Sequence, residues 1–332
     1  MNKRLLLTGG VGFIGHHTVE HLLKNTDWDL VIMDRLTYAG NQNFLTDIEY
    51  WTENKHRVHF IFHDFQAPIS ETTSHLIGHI DYIVHMGAES HVDRSIADPY
   101  PFVMSNVLGT VNMLEYAKTL PSLKKFIYIS TDEVYGASYN NHLHKEGEPH
   151  KPSNPYSASK SGAEAFAYAY WNTYKLPIII TNTMNNFGER QNPEKFIPKT
   201  IKAIMTETPV TIHCKLEGET IKEVSSRCWL HARNHADGIL FLLKQGTNGE
   251  RYNITGEKFT VEEVAQNIGK ILGKEPHIHY EDFHSFRAGH DMHYGLDGSK
   301  MKNMGWVAPT SFDESLEKTV KWCISNPKWL LI

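Results

Sequence analysis

The chain opens on a repeating pattern: a short apolar run, then a stretch in which apolar residues recur with helical period. The runs lie at 5–8, 30–33, 59–62, 82–86, 126–130 and 178–181. Unbroken apolar runs of this length read as strands buried on both faces, as in a parallel sheet. Val19, Leu22 and Leu23 before the second run, and Val111, Leu114 and Ala117 before the fifth, carry the helical spacing. The alternation predicts an α/β fold, a Rossmann-type doubly wound parallel sheet over residues 1–184.

Beyond residue 184 the pattern loosens, with proline turns and a polar stretch from Lys215 to Ser226. A smaller, mixed α/β domain over 185–332 is expected, with 234–247 returning to pack on the first. Residues 252–255 read as a short strand, and 260–272 and 312–325 as amphipathic helices. Thr260 with Glu263, and Ser311 with Glu314, supply their start signals. No repeat, low-complexity tract or linker separates the two parts.

Composition narrows the function classes. The 332 residues suit about two domains. Lys+Arg is 33 against Asp+Glu 38, a formal charge of −5 without a basic stripe, which argues against a nucleic-acid partner. No apolar run approaches the ~20 residues that span a bilayer. The first run is too short for a signal peptide and lacks a cleavage site. The 3 cysteines are too few for a disulfide framework or a zinc ribbon. A soluble, reduced, cytoplasmic protein is expected.

The first run ends in Gly9-Gly10-Val11-Gly12-Phe13-Ile14-Gly15, ahead of a helical pattern. Gly9 suits a tight turn, Gly12 a close approach to pyrophosphate, and Gly15 close helix–strand packing, with the helix N-terminus facing the phosphates. The second run ends at Asp34, where a carboxylate accepts from a ribose diol and disfavours a 2′-phosphate, so NAD is expected over NADP. Arg35 beside it is the one residue that could tolerate the phosphate. The fifth run leads into Thr131-Asp132-Glu133, and Asn154-Pro155 opens a helix carrying Tyr156 and Lys160 at i and i+4 on one face. A lysine ammonium beside a phenol, with a hydroxyl at Thr131, can take a proton from a carbinol.

With these residues the chain resembles the extended short-chain dehydrogenase/reductases, the nucleotide-sugar epimerase/dehydratase group, and within it the NDP-glucose 4,6-dehydratases typified by the dTDP-glucose enzyme. The likeness runs through 36–41, 88–95, Thr131-Asp132-Glu133, 185–188, 193–198 and 287–291. It implies oxidation at sugar C4, loss of water across C5–C6 with Glu133 as base and Asp132 as acid, and hydride returned at C6. Thr131, Tyr156 and Lys160 complete the implied catalytic set. Phe13, Ile14, Leu36, Thr37, Gly40, Asp64, Phe65, Met86, Ala88 and Ser90 join the implied NAD site. Ser90, Thr131, Asn185, Lys195, Phe196, Arg227, Asn253, Arg287 and His290 are the implied substrate contacts, with Arg227 and Arg287 toward the pyrophosphate. The substrate would be dTDP-glucose or UDP-glucose. A 4-epimerase, a uronate decarboxylase and a non-catalytic NAD-binding sensor stay open.

The sequence departs from the resemblance at the nucleotide end. Arg227-Cys228-Trp229-Leu230-His231-Ala232 stands where an acid and a tyrosine are usual, the stretch 216–226 is longer, and Ala288 replaces a proline. No metal is expected: the pairs His75/His79 and His231/His235 lack companions of ligand spacing. Apolar stripes at Phe102, Val103, Val107, Val111 and Leu114, and at Ala163, Phe166, Ala167 and Tyr170, imply a homodimer through paired helices.

Overall fold

The computed structural model describes residues 2–283 and 289–331. Seven strands form one parallel sheet in the order β11-β6-β5-β4-β1-β2-β3. They are β1 (Arg4–Thr8), β2 (Asp29–Asp34), β3 (Val58–Phe62), β4 (Tyr82–His85), β5 (Lys125–Thr131), β6 (Ile178–Thr183) and β11 (Arg251–Ile254). The six apolar runs of the first half are six of these strands. The seventh, β11, comes from the C-terminal stretch and pairs with β6 from Arg251↔Ile180 to Ile254↔Thr183.

Adjacent residues of the central strands go to opposite faces, and both faces are buried. Leu5, Leu7, Leu30 and Ile32 meet Val19 and Leu22 of the helix Phe13–Asn25, and Ile239 and Leu242 of the helix Ala232–Gln245. Leu6, Val31, Met33 and Ile83 meet Met113 and Leu114 of Gly109–Lys118, and Ala163 and Ala167 of Pro155–Tyr174. Burying each Leu or Ile contributes ~1.5–3 kcal/mol, so the two faces together hold the sheet. The helix Ala232–Gln245 packs on Phe13–Asn25.

Two small sheets build the other lobe: β12 (Glu257–Thr260), β10 (Ser226–His231) and β7 (Asn186–Phe187), and β13 (Ile278–Asp282), β8 (Val210–Glu217) and β9 (Thr220–Val224). Ile201, Ile204, Val264, Ile268, Phe312, Leu316 and Val320 form their common core. The helices Val261–Leu272 and Phe312–Ser325 start on Thr260 and Ser311, as their sequences predict. The stretch 216–226 is not a loop: most of it folds into the β8–β9 hairpin, turning at Gly218 with φ 62°. Among the described residues, no helix is long and apolar enough to cross a membrane.

The two apolar stripes divide. Leu114, Ala163 and Ala167 are fully buried in the core. Val103, Met104, Leu108 and Phe166 stay exposed on the outer face of the same helical layer.

Candidate active site

A cleft of about 790 Å³ runs between the C-terminal ends of the parallel strands and the smaller lobe. Gly9 takes φ 72°, and a Cβ there would lie 2.8 Å from Gly87 Cα. The Gly12 N–H donates to the Gly9 carbonyl at 3.1 Å, closing the turn. A Cβ at Gly15 would collide with that carbonyl, so only glycine lets the helix sit this close. The helix begins at Phe13 with no side chain capping its N-terminus, which leaves its first N–H groups for an anion. Gly9, Gly12, Phe13, Ile14 and Gly15 all line the cleft.

Asp34 ends β2 nearly buried, its Oδ1 accepting from the Leu36 N–H at 2.9 Å and its Oδ2 from the Val11 N–H at 3.4 Å. Burial raises its carboxyl above the ordinary value, and these backbone donors oppose the rise. Arg35 is spoken for: its guanidinium reaches Asp64 Oδ2 at 3.2 Å and Glu89 Oε1 at 2.6 Å. Two carboxylates already satisfy it, so it does not stand ready for a 2′-phosphate. Thr37, Gly40, Phe65, Met86, Ala88 and Ser90 line the same half of the cleft, whereas Leu36 and Asp64 lie behind it.

The chemistry-bearing side chains gather where β5 ends. Thr131 caps the short turn Asp132–Tyr135, accepting from the Glu133 N–H at 3.3 Å and donating to Asp132 Oδ1 at 3.1 Å. Burial, with the Glu133 charge beside it, pushes the Asp132 carboxyl up to about 7. Burial also raises Glu133, held back by the Asn154 Nδ2 that donates to it at 3.2 Å and by the Arg227 charge. Asn154 is in turn the cap of Pro155–Tyr174, in a reciprocal pair with Ser157. One asparagine therefore sets both the helix start and the Glu133 carboxylate.

Tyr156 and Lys160 stand on the first turns of that helix and line the cleft. Burial raises the Tyr156 phenol, with Glu133 adding to the effect and a hydrogen bond from Thr131 opposing it. Burial lowers Lys160 to about 7, and the Glu164 charge one turn on opposes that drop. Lys160 Nζ donates to the Ile129 carbonyl at 2.6 Å and lies 4.5 Å from the Tyr128 ring centroid. Glu164 is fully buried, bound by Asn182 Nδ2 at 2.8 Å and Arg251 at 3.2 Å. Asn182 also donates to the Thr131 carbonyl at 3.1 Å, tying the buried acid to the strand end above.

On the far wall are Asn185, Lys195, Phe196, Arg227 and His290. Arg227 packs 4.6 Å from the Tyr294 ring and donates to the carbonyls of Ser226, Asp291 and Met292, so it braces the 291–294 segment as well as facing the cleft. Asn253 lies outside the cleft: it is fully buried, and its Nδ2 donates to the carbonyls of His144 and Asp297. Arg287 and Ala288 fall outside the described residues. Ser225 and the hairpin base at Val210, Thr211 and His213 reach the cleft, but 216–224 does not. Cys228 is a small buried filler among Val134, Tyr135, Met184 and Leu296.

Residues not anticipated from sequence close the mouth. His91 Nε2 lies 3.6 Å from Glu194 Oε1, Arg94 lies 3.9 Å from the same carboxylate, and Arg94 stacks on Tyr38 at 3.7 Å. His91 and Glu194 sit inside the 88–95 and 193–198 stretches already singled out, which was the available signal. The profile of the family described as GDP-mannose 4,6 dehydratase matches residues 6–319.

The chain belongs to that family. A dTDP-glucose 4,6-dehydratase of Neisseria gonorrhoeae is 37% identical over 98% of this chain and 96% of its own. The low-salt glycan biosynthesis protein Agl12 of Haloferax volcanii is 38% identical over 97% and 99%. Among solved structures, the dTDP-glucose 4,6-dehydratase DesIV of Streptomyces venezuelae, with NAD and TYD bound, superposes with TM-score 0.86 at 34% identity over 98% of each chain. The extended short-chain dehydrogenase/reductase resemblance and the Rossmann-type fold both stand within this family.

Proposed function

We propose that the protein is an NDP-glucose 4,6-dehydratase that converts dTDP-glucose or UDP-glucose to the 4-keto-6-deoxy sugar. The observation that carries this reading is the adjacent pair at the end of β5, buried Asp132 and half-buried Glu133, which line the cleft together with Tyr156 and Lys160. Full-length relatives of that name and NAD-bound neighbours support it. A 4-epimerase needs only oxidation at C4 and return of the hydride to C4, so it has no use for a second acid and base. The uncapped helix N-terminus, the glycine turn and Asp34 fit NAD, and when bound it accepts a hydride from C4 and returns one to C6.

Tyr156 takes the proton of the C4 hydroxyl, assisted by Lys160 on the same helix face and Thr131 on the strand. Glu133 removes the C5 proton, which a C4 ketone makes acidic, and gives a proton back to C5 when hydride reaches C6. Asp132, held near neutrality by burial, carries the proton that the departing C6 hydroxyl needs. Lys195, Arg227 and His290 hold the nucleotide sugar on the opposite wall. In this reading residues 1–184 with 234–247 serve the cofactor, and 185–332 serve the substrate. The three described cysteines are free and buried, which supports a cytoplasmic setting. The exposed faces around Val103, Met104 and Phe166 support self-pairing as a homodimer.

Incubation with dTDP-glucose and UDP-glucose, followed by mass spectrometry, tests the activity through loss of one water. An unchanged or C4-inverted sugar would sink the dehydratase reading. Asp34→Ala is expected to weaken NAD binding ~10–100-fold, since hydrogen bonds to a charged acceptor are worth ~1.5–3 kcal/mol. Fluorescence titration with NAD and NADP measures this, and NADP as the tighter ligand of the unaltered protein contradicts the Asp34 argument. Arg227→Ala is expected to raise KM more than it lowers kcat, because its contact is shared by ground and transition states.

A further inference from the structure

The chain carries 21 histidines, far more than the proposed chemistry uses. Several are neutral and buried beside the glycine turn, but one group has a different character. In the loop between the Asp132–Tyr135 turn and the helix Pro155–Tyr174, His142, His144 and Glu148 point their donor atoms at one another. One ligand atom from each lies within 4.8 Å of the other two. His142 Nε2 is 3.0 Å from Glu148 Oε2, and His144 Nδ1 is 2.8 Å from the same oxygen. The two rings meet edge-on with centroids 4.8 Å apart.

The geometry points to a binding site for a divalent transition ion of the zinc class, ligated by His142 Nε2, His144 Nδ1 and a Glu148 oxygen. Two imidazoles and one carboxylate are a borderline donor set that suits Zn²⁺ better than Mg²⁺ or Ca²⁺, which prefer all-oxygen shells. Three protein ligands leave a fourth tetrahedral position for water, since His142 and Glu148 are open to solvent. The site does not depend on the function proposed above.

Two of the ligands are already oriented. The Lys145 N–H donates to Glu148 Oε1 at 2.9 Å, which fixes the carboxylate and leaves Oε2 facing the rings. His144 is mostly buried, and its ring stacks on Tyr135 at 5.3 Å and 13°. Its backbone is held on both sides, donating to the Gly295 carbonyl and accepting from Asp297 N–H and Asn253 Nδ2. An ion here would therefore tie His142 and Glu148 to His144, whose backbone is already bonded to the 295–297 segment. One cost is visible. His144 Nε2 is buried with no hydrogen-bond partner among the described residues, so metallation at Nδ1 places the ring proton where no acceptor waits. That keeps the affinity below that of closed structural zinc sites.

The spacing His-x-His-x-x-x-Glu was present in the sequence, but it sits in a loop, where neither helical nor strand periodicity draws attention to it. The test uses the full-length protein with its resident cofactor, stripped of metal by a chelator. Zn²⁺ titration is expected to show one tight equivalent per chain, and Co²⁺ to give tetrahedral visible absorption that Zn²⁺ abolishes. His142→Ala, at an exposed position, and Glu148→Gln are each expected to weaken that equivalent at least tenfold with an unchanged circular dichroism spectrum. Zn²⁺ is also expected to raise Tm in the unaltered protein and not in His142→Ala. No tight equivalent, or one that both variants retain, overturns the site.

Discussion

Asp132→Asn and Glu133→Gln are each expected to lower formation of the 4-keto-6-deoxy product by ~10²–10⁴-fold, the usual contribution of a general acid or base. Both leave the first oxidation possible, so absorbance of the reduced nicotinamide appears with substrate while product stays low. Tyr156→Phe suppresses both signals, because its proton transfer precedes the loss of water. Single-turnover mixing with NDP-glucose reads the two signals together. Near-normal product from both acid variants would strip Asp132 and Glu133 of the acid and base roles, whereas unaltered protein that gives only the C4 epimer would favour an epimerase. The pH dependence adds a check. Asp132, raised to about 7, donates while protonated, so kcat/KM for product formation declines as the pH climbs past that value.

Acid is expected to unfold this protein steeply. His16, His85 and His235 are fully buried and held down to about 3 by loss of solvent, and His17 lies well below its usual 6.5. Between pH 6.5 and the folded values, the unfolded chain binds protons that the folded chain refuses. The stability these histidines contribute is therefore complete above 6.5 and drains away as the pH falls. Each such group contributes up to ~1.4 kcal/mol per pH unit, so together they reach roughly 5 kcal/mol per unit. Asp132 works in the opposite direction over part of this range and offsets about one histidine. Glu189, kept low by hydrogen-bonding to His231 and by the Arg233 charge despite its burial, adds to the loss once the pH passes below its unfolded value. Denaturant melts at pH 8, 6 and 5 measure the slope. His235→Leu, whose ring nitrogens have no partner among the described residues, is expected to flatten it by about one group's share. A midpoint that does not move between pH 8 and 5 would contradict the burial argument.

The parallel sheet was legible because its inner strands are buried on both faces, which forces unbroken apolar runs such as 30–33 and 126–130; the edge strand β3 instead leaves His59 and Phe62 exposed. The smaller lobe was harder. Val210, Ile212 and Cys214 do alternate with the half-buried Thr211 and His213 along β8, but the charged residues after them mask the hairpin as a polar insert. Strand β7 is two residues long and has no pattern to read. Local spacing was enough to single out the glycine turn, Asp34 and the Tyr156/Lys160 pair, which line one cleft. Arg35 and Asn253 illustrate the limit. Their partners Glu89, His144 and Asp297 are distant in the chain, and only the fold decides whether a donor is free or already used.

The pairing of Arg251–Ile254 with Ile178–Thr183 has a consequence for how the chain is made. Until residue 254 leaves the ribosome, Ile178–Thr183 is an open, apolar sheet edge, the kind of template that recruits a second chain. A fragment ending before 251 keeps the glycine turn, Asp132, Glu133 and Tyr156, yet it lacks the Arg251 that pairs with Glu164 behind Lys160. Such a fragment is expected to collect in aggregates rather than behave as a cofactor-binding half. The cofactor lobe is thus finished only by residues synthesised long after its own strands.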